Sequence, residues 1–517
     1  ITVGGEALTL SGMGSAGNAG ALVSASGFNT FGGPVTLLAD AGIAALAGSL
    51  LLSGVVGGSG AFLKRGLGTV ELAGFNTFTG SLLVNEGTLA VSSDGALGSP
   101  SGVTSVAQGG VLELRGGASG LNLGTETLSL SGFGNGLGAL RSVDGRNVLS
   151  GTIVLGTATA VSALAGTLVF GGPILQGAFP LNLQADGRVQ VTGSISGSGA
   201  FTKTGTGLLS LESDNALTGL TTIGAGTLVL GGLAPQGGLT GMVAGPIRND
   251  ALVVFNRSME TVYAGSISGM GSVENWSGHL TLTGVHTYAG ETVVKGGTLA
   301  MEGTLFSQGS VSIAADASLA GNGIVGGTVL LAAGATLAPG TLFAPGKLTL
   351  GGLQTSGGAN LSIRLKGPMD SDSIVVTKPD GLLLSGTNTI KLGLAPGTLT
   401  PAPGVYRLIS FTGTAPATTT LTLAETSVSG LAASLVWGGS AVSLELKTPA
   451  VLPVITSTLS ASVRAGDSFA YTLVALNAPT TLSVSGLPAG LGFNPATGLI
   501  SGTLLSPGSF AVSLAAS

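Results

Sequence analysis

The stretch Gly58–Val91 recurs along this chain, and a chain that repeats itself at such a period folds as a stack of similar units. The first copy reads GSGAFLKRGLGTVELAGFNTFTGSLLVNEGTLAV and the second, Gly197–Leu230, reads GSGAFTKTGTGLLSLESDNALTGLTTIGAGTLVL. Their alignment matches Phe62 with Phe201, Lys64 with Lys203, Leu72 with Leu211, Asn76 with Asn215 and Gly80 with Gly219. A third copy covers Gly269–Met301; its later half, Leu282–Leu299, aligns with Leu211–Leu228 of the second. A partial copy, Gly27–Leu37, repeats Gly-Phe-Asn-Thr-Phe from Gly74–Phe78. Gly-Thr-Leu triplets begin at Gly87, Gly166, Gly226 and Gly297. Their spacings predict a smaller unit of roughly 20–24 residues.

Within a unit the pattern is alternation. Thr69-Val70-Glu71-Leu72 and Leu280-Thr281-Leu282-Thr283 place apolar and polar side chains on opposite faces, the period of a half-buried strand. Glycine and asparagine punctuate the runs, as tight turns require. No window carries a capped 3.6-residue period, so the expected class is all-β with almost no helix. Two or three short strands fill one unit, and stacked units pair each strand with its counterpart about 4.8 Å away. About 20 coils then give a rod on the order of 100 Å long, its stability a nearest-neighbour sum.

Composition supports a packed core. The chain has 517 residues, 44% of them hydrophobic, 93 of them glycine, with no Gly-X-Y period. Disordered chains lack such aliphatic content. Only 8% of residues are charged and the net charge is −5, so nucleic-acid binding is disfavoured. Lys64-Arg65, the only adjacent basic pair, reads as a solvated turn. The absence of cysteine does not fix the compartment. Ala41–Leu63 carries no charge and is long enough to raise the question of a membrane span, yet its glycines and short β-like runs argue against one. The chain begins at Ile1 without a charged-then-apolar leader, which is expected of a processed or excised segment.

Residues Gly58–Val91 and Ile195–Gly232 resemble the autotransporter-associated β-strand repeat of bacterial passenger domains, with its G-x-G-x-[FL]-x-K start and T-G-x-T-x-[IV]-x-x-G-T-L close. Ser268–Met301 keeps the second half and lacks the lysine. Ser318 to about Leu446, with SLAGNGIVGGTVLLAAGATLAPG, GKLTLGG and Gly404–Ile409, resembles the last coils of such passengers. After the proline-bounded TPAVLP, the segments LPAGL and TGLISGT resemble the Ig-like module of large bacterial surface proteins. There Phe469, Tyr471, Leu473 and Ala475 alternate, Gly498 and Gly502 mark turns, and Phe510, Val512 and Leu514 form a closing strand. The resemblance implies a right-handed parallel β-helix (1–446), a linker (447–453) and a small Ig-like β-sandwich (454–517). Nothing in these 517 residues supplies the membrane barrel with an aromatic girdle in which an autotransporter ends, so autotransporter secretion is not carried over with the resemblance.

No residue is nominated as catalytic, cofactor-binding or metal-binding. His286 occupies the slot of Asn76 and Asn215, which reads as a turn position. His279 lies on a strand with no partner motif. Asp370 and Asp372, in PMDSDS, are close but read as a solvated loop, and two acids fall short of a Ca²⁺ site. The expected function is a structural or adhesive scaffold of a bacterial cell surface, not an enzyme, with a surface glycan or protein as ligand. One alternative is a fibre subunit that polymerises through solenoid ends or terminal strands. The other is a β-helix enzyme that binds or cleaves polysaccharide, which requires a row of acids along one groove.

Overall fold

The computed structural model describes residues 1–15, 19–306 and 309–517. Its strands form two compact units: Ile1–Ser429 with Ala433–Leu446, and Gly430–Ala432 with Lys447–Ser517.

The larger unit is a parallel β-solenoid, and among the described residues it has no α-helix, only two short 3₁₀ turns at Gly134–Gly136 and Thr418–Thr420. Three ladders run along it. One passes through Phe62, Leu82, Thr104, Leu128, Ile153, Ile174 and Ile195. The second passes through Val70, Leu89, Leu112, Leu140, Val161, Leu183 and Lys203. The third passes through Leu121, Asn147, Leu168, Val189, Leu209, Leu228, Val253 and Val273. Each coil therefore has three faces, and alternation along each strand sends every second side chain into a shared aliphatic core. Val70 and Leu72 are fully buried while Thr69 and Glu71 beside them are not. Thr281 departs from the simple pattern: it is buried beside Leu280 and Leu282.

One full turn carries the chain from Phe62 to Leu82, or from Thr69 to Thr88, the low end of the expected unit. The turns are nevertheless fewer than the roughly 20 expected from length alone. Insertions consume chain without adding a coil, as between the paired residues Leu112 and Leu140 and between Ile374 and Ile409. Ala41–Leu63 contributes short strands to the first coils, and no helix of the described residues is long and apolar enough to cross a membrane.

The ladders change the meaning of the sequence repeat. Phe62 sits on the first face, Phe201 pairs with Leu181 on the second, and Val273, its counterpart in the third copy, sits on the third. Each copy of the long repeat thus starts one face further round. The Gly-Thr-Leu triplets record this. From Gly166 to Gly226 the chain makes three whole turns and returns to one face, whereas from Gly226 to Gly297 it makes three turns and moves on to the next face. The same local sequence serves all three faces because its constraints are local, one inward-facing strand and one glycine corner.

At the far end Gly404–Ser410 continues the parallel ladder from Ser373–Val376 and is covered on its other edge by the antiparallel strand Ala441–Lys447. Tyr406 is buried there and donates its hydroxyl to the Ala402 carbonyl at 2.6 Å. That antiparallel strand satisfies an edge that would otherwise offer a row of unpaired backbone groups.

The smaller unit is antiparallel. Ser468–Thr472, Leu499–Thr503 and Leu491–Asn494 form a three-stranded sheet, and Leu482–Ser485 pairs with Ser513–Ala516. Its buried apolar residues are Leu473, Ile500 and Leu504. The Tyr471 hydroxyl pins the chain entering the sheet, bonding Ser457 Oγ at 2.8 Å and the Thr458 carbonyl at 2.5 Å. Gly498 has φ +68° and Gly502 φ +141°, backbone that favours glycine. The closing strand begins at Ser513, so Phe510 and Val512 lie before it, and Phe510 is exposed.

Candidate functional site

The polar residues that define the repeat point into the molecule. Lys64, expected as a solvated turn residue, is fully buried, and so is Lys203. The reason is parity: Phe62 faces inward, so Lys64 two positions on must as well. Its ammonium donates to the Gly66 carbonyl and to the Glu86 carbonyl, the latter at 2.8 Å. Lys203 donates to the carbonyls of Gly205 (2.8 Å), Ala225 (2.8 Å) and Thr204 (3.2 Å). In the third copy the lysine slot holds Asn275, whose amide donates to the Gly296 carbonyl at 3.0 Å. Glu86, Ala225 and Gly296 each precede the glycine of a Gly-Thr-Leu triplet. The inward donor therefore ties one coil to the corner of the next.

Those corner glycines, Gly87, Gly226 and Gly297, have φ of +65°, +68° and +68°. A Cβ on Gly226 would lie 2.6 Å from Lys203 Nζ and 2.6 Å from the Gly205 carbonyl oxygen. Ammonium and glycine are two halves of one device, since the lysine head fills the space that a side chain would need. Burial lowers the pKa of both lysines to about 8, with Glu86 near Lys64 and Asp186 near Lys203 opposing the shift.

The asparagine slot is likewise inward. Asn76 Oδ1 accepts from the Val56 amide at 2.8 Å and its Nδ2 donates to the Ala96 carbonyl at 2.7 Å. Asn215 accepts from the Ile195 amide at 2.8 Å and donates to the Met242 carbonyl at 3.0 Å. His286 does the first half of this job: its Nδ1 accepts from the Ile267 amide at 3.3 Å, one coil back. None of the three has positive φ, so the slot is a cross-coil acceptor within the core and not the left-handed turn position expected. The His286 ring is fully buried, stacks 6.5 Å from the ring of Tyr263, and its Nε2 has no partner. Burial lowers its pKa to about 4.

Between pH 6.5 and about 4 the unfolded chain takes up a proton that the folded chain refuses, so His286 makes the fold less stable as pH falls. The loss from pH 7 to 5 is about 2 kcal/mol. His286→Asn should keep the bond from Ile267, regain a donor, and abolish that part of the acid sensitivity. Urea midpoints at pH 7 and pH 5 for both proteins check this; an equal acid loss in both would contradict it.

Asp370 and Asp372 do not share a face. Asp370 is exposed, whereas Asp372 is fully buried, so the pair is not a solvated loop. Asp372 stands immediately before the strand Ser373–Val376 and continues its inward side with Ile374, whereas Asp370 lies in the preceding turn. Asp372 binds Arg364 through Nε (2.8 Å) and Nη2 (3.1 Å) and accepts from the amides of Arg364 and Gly346. Arg364 in turn donates to the carbonyls of Pro339, Thr341 and Ala344, closing the loop between those coils. His279 lies in Ser272–Leu282, partly exposed, aligned between Glu260 and Thr298. Among the described residues no group of three or more His, Asp or Glu is placed to hold a metal ion.

What remains outward is sheet surface with an ion network on the second face. Arg115 joins Glu71 (2.5 Å) and Glu113 (2.7 Å), and Arg141 joins Glu113 (2.9 Å). Three-faced coils with inward lysine–glycine corners, followed by a small antiparallel unit, define a repeat-built passenger-type solenoid.

Comparison with known proteins agrees. The family model described as Passenger-associated-transport-repeat matches residues 62–91, 201–230 and 277–301, and the one described as "Putative Ig domain" matches residues 452–517. The Adhesin BmaC autotransporter of Brucella suis biovar 1 (strain 1330) is 31% identical over 207 residues, 40% of this chain and 5% of that adhesin. The aligned region thus spans about a twentieth of its relative's length. This chain carries passenger-type β-helix repeats followed by an Ig-like domain, and it is extracellular or cell-surface in location.

Proposed function

We propose that this chain is a non-catalytic adhesive scaffold, in which residues 1–446 form a stiff presenting element, 447–453 a linker and 454–517 an Ig-like spacer. The observation that supports this most is the use of the repeat's polar residues. Lys64, Lys203, Asn76, Asn215, Asn275 and His286 all bond backbone of adjoining coils, so the motif builds a scaffold and leaves no reactive group in solvent. The likeness to an adhesin favours surface binding as the use of that scaffold. The ligand would be a glycan or protein on the facing surface.

Fluorescent beads coated with the purified chain, applied to epithelial monolayers and to extracellular-matrix films, test the reading. The expected result is retention well above beads coated with an unrelated β-solenoid. Retention equal to that control, or glycan or protein cleavage by the purified chain, would overturn it.

A further inference from the structure

One corner of the solenoid changes character along the chain. It lies between the ladder through Leu299, Leu319, Leu337, Leu361 and Ile390 and the ladder through Leu305, Val325, Leu350 and Val376. In the earlier coils Glu302-Gly303 and then Asn322-Gly323 suffice to turn it. In the next coils residues 340–346, 366–372 and 395–403 turn it instead. Stacked insertions at one side of a solenoid commonly form its binding side. Here they carry large apolar side chains outward. Phe343, Met369 and Leu399, one from each loop, are 84%, 93% and 88% exposed, and Leu342 is exposed beside Phe343. Each tip thus stands clear of its neighbours, on a loop that is itself fixed. Thr341 Oγ1 accepts from the amides of Phe343 (3.3 Å) and Ala344 (3.2 Å). Ser371 Oγ accepts from the Lys366 amide at 2.9 Å and donates to the Gly367 carbonyl at 2.7 Å, and the Thr398 amide donates to the Ala395 carbonyl at 2.9 Å. The Arg364–Asp372 pair ties the first loop to the second. The exposed charges around the tips are Lys347, Lys366 and Arg407 against Asp370 alone, a basic excess in a chain whose net charge is −5.

We infer that these loops dip their tips into the surface of an anionic phospholipid bilayer. Shape and charge select that occupant. The tips are convex and separate, so a protein partner has to supply a matched pocket for each, whereas a bilayer takes up any apolar tip. A glycan needs a flat aromatic face with hydrogen-bonding groups beside it, and Leu342, Met369 and Leu399 provide neither. Binding at a bilayer surface grows with the apolar area inserted and with the attraction of basic side chains to anionic headgroups. Lys366 stands three positions before Met369, so its ammonium stays among the headgroups while the thioether goes deeper. Loops already pinned by their own hydrogen bonds lose little freedom on insertion. Adhesion through a glycan or protein neither requires nor forbids this contact.

Flotation of the purified chain with vesicles of phosphatidylcholine alone, and of phosphatidylcholine mixed with phosphatidylglycerol, reads the binding. The sequence has no cysteine, so Phe343→Cys carries a single environment-sensitive dye, and Ser119→Cys, exposed on a distant coil, carries the same dye as a control. Phe343→Ser combined with Met369→Ser removes two tips that the fold does not need, and an unchanged urea midpoint confirms it. The expected result has three parts. The parent floats with the mixed vesicles at least roughly tenfold more tightly than with phosphatidylcholine alone. The dye at position 343 shifts to the blue on the mixed vesicles and the dye at 119 does not. The double variant loses at least roughly tenfold in vesicle affinity. No flotation with the mixed vesicles, equal flotation with both compositions, an unshifted dye at 343, or flotation unchanged in the double variant would overturn the inference. Retention on extracellular-matrix films that is lost in the double variant, without vesicle binding, would assign the loops to a protein or glycan partner instead. Vesicle binding by a chain that fails to retain beads on those films and on epithelial monolayers would overturn the adhesive scaffold and leave the bilayer contact standing.

Discussion

Gly226→Ala should destabilise the solenoid by about 3 kcal/mol or more. The backbone contribution is about 1–2 kcal/mol, the cost of holding a Cβ-bearing residue at φ +68°. The rest is steric. The added methyl meets the carbonyl oxygens of Gly207 and Gly205 and the head of Lys203, and the carbonyls belong to backbone that cannot retreat without separating two coils. Overpacking of that kind costs about 1–3 kcal/mol. Gly177 is the internal control: its φ is +65° and nothing lies within 4 Å of an added Cβ, so Gly177→Ala incurs the backbone cost alone. Urea unfolding of the two variants separates the contributions. Equal shifts would show that the lysine-filled corner is not tight.

Lys203→Met should cost about 2–4 kcal/mol at pH 7, although it removes a buried charge. The carbonyls of Thr204, Gly205 and Ala225 are left without their donor, at roughly 1–3 kcal/mol each, against relief of the penalty on the charged form that lowers the lysine pKa from 10.5 to about 8, which is worth about 3 kcal/mol. The bonds win. The pH dependence has a definite sign. Between pH 8 and 10.5 the unfolded chain holds the proton that the folded chain has released, so the parent gains stability as pH rises, by about 2 kcal/mol per lysine at pH 10. Lys203→Met keeps only the share due to Lys64. The gap between parent and variant therefore widens from pH 7 to pH 10, and urea midpoints at those two pH values measure it. A gap that narrows would contradict the assignment of Lys203 as a buried cation.

The architecture was legible because two periods stand openly in the sequence, the alternation within strands and the recurrence of Gly-Thr-Leu. The orientation of the key polar residues is written there too, in their parity. Phe62 and Lys64 are two positions apart in one strand, so the lysine has to face the core that the phenylalanine occupies. A charged residue read by its charge alone looks solvated; read by its strand it is buried. Rotation of successive copies round the faces was harder to see. The separation of Phe62 from Phe201 is compatible with whole turns until the insertion between Leu112 and Leu140 is known, and insertions leave no mark in alternation. The asparagine slot misled for a different reason. Asparagine favours both left-handed turns and buried bonds to backbone, and only the φ of Asn76 and Asn215 and the bond from Val56 separate the two.

Amine acetylation of the native chain at pH 8.5, followed by mass spectrometry, tests most directly whether the repeat's lysines are sealed corner braces or groups offered to solvent. A pKa of about 8 makes Lys64 and Lys203 the more nucleophilic amines at that pH if reagent reaches them. Exposed Lys295, Lys366, Lys378 and Lys391 are expected to be modified at once, while Lys64 and Lys203 stay unmodified until the chain is unfolded in urea. Modification of Lys64 and Lys203 in the folded chain as fast as the exposed lysines would contradict their role as braces.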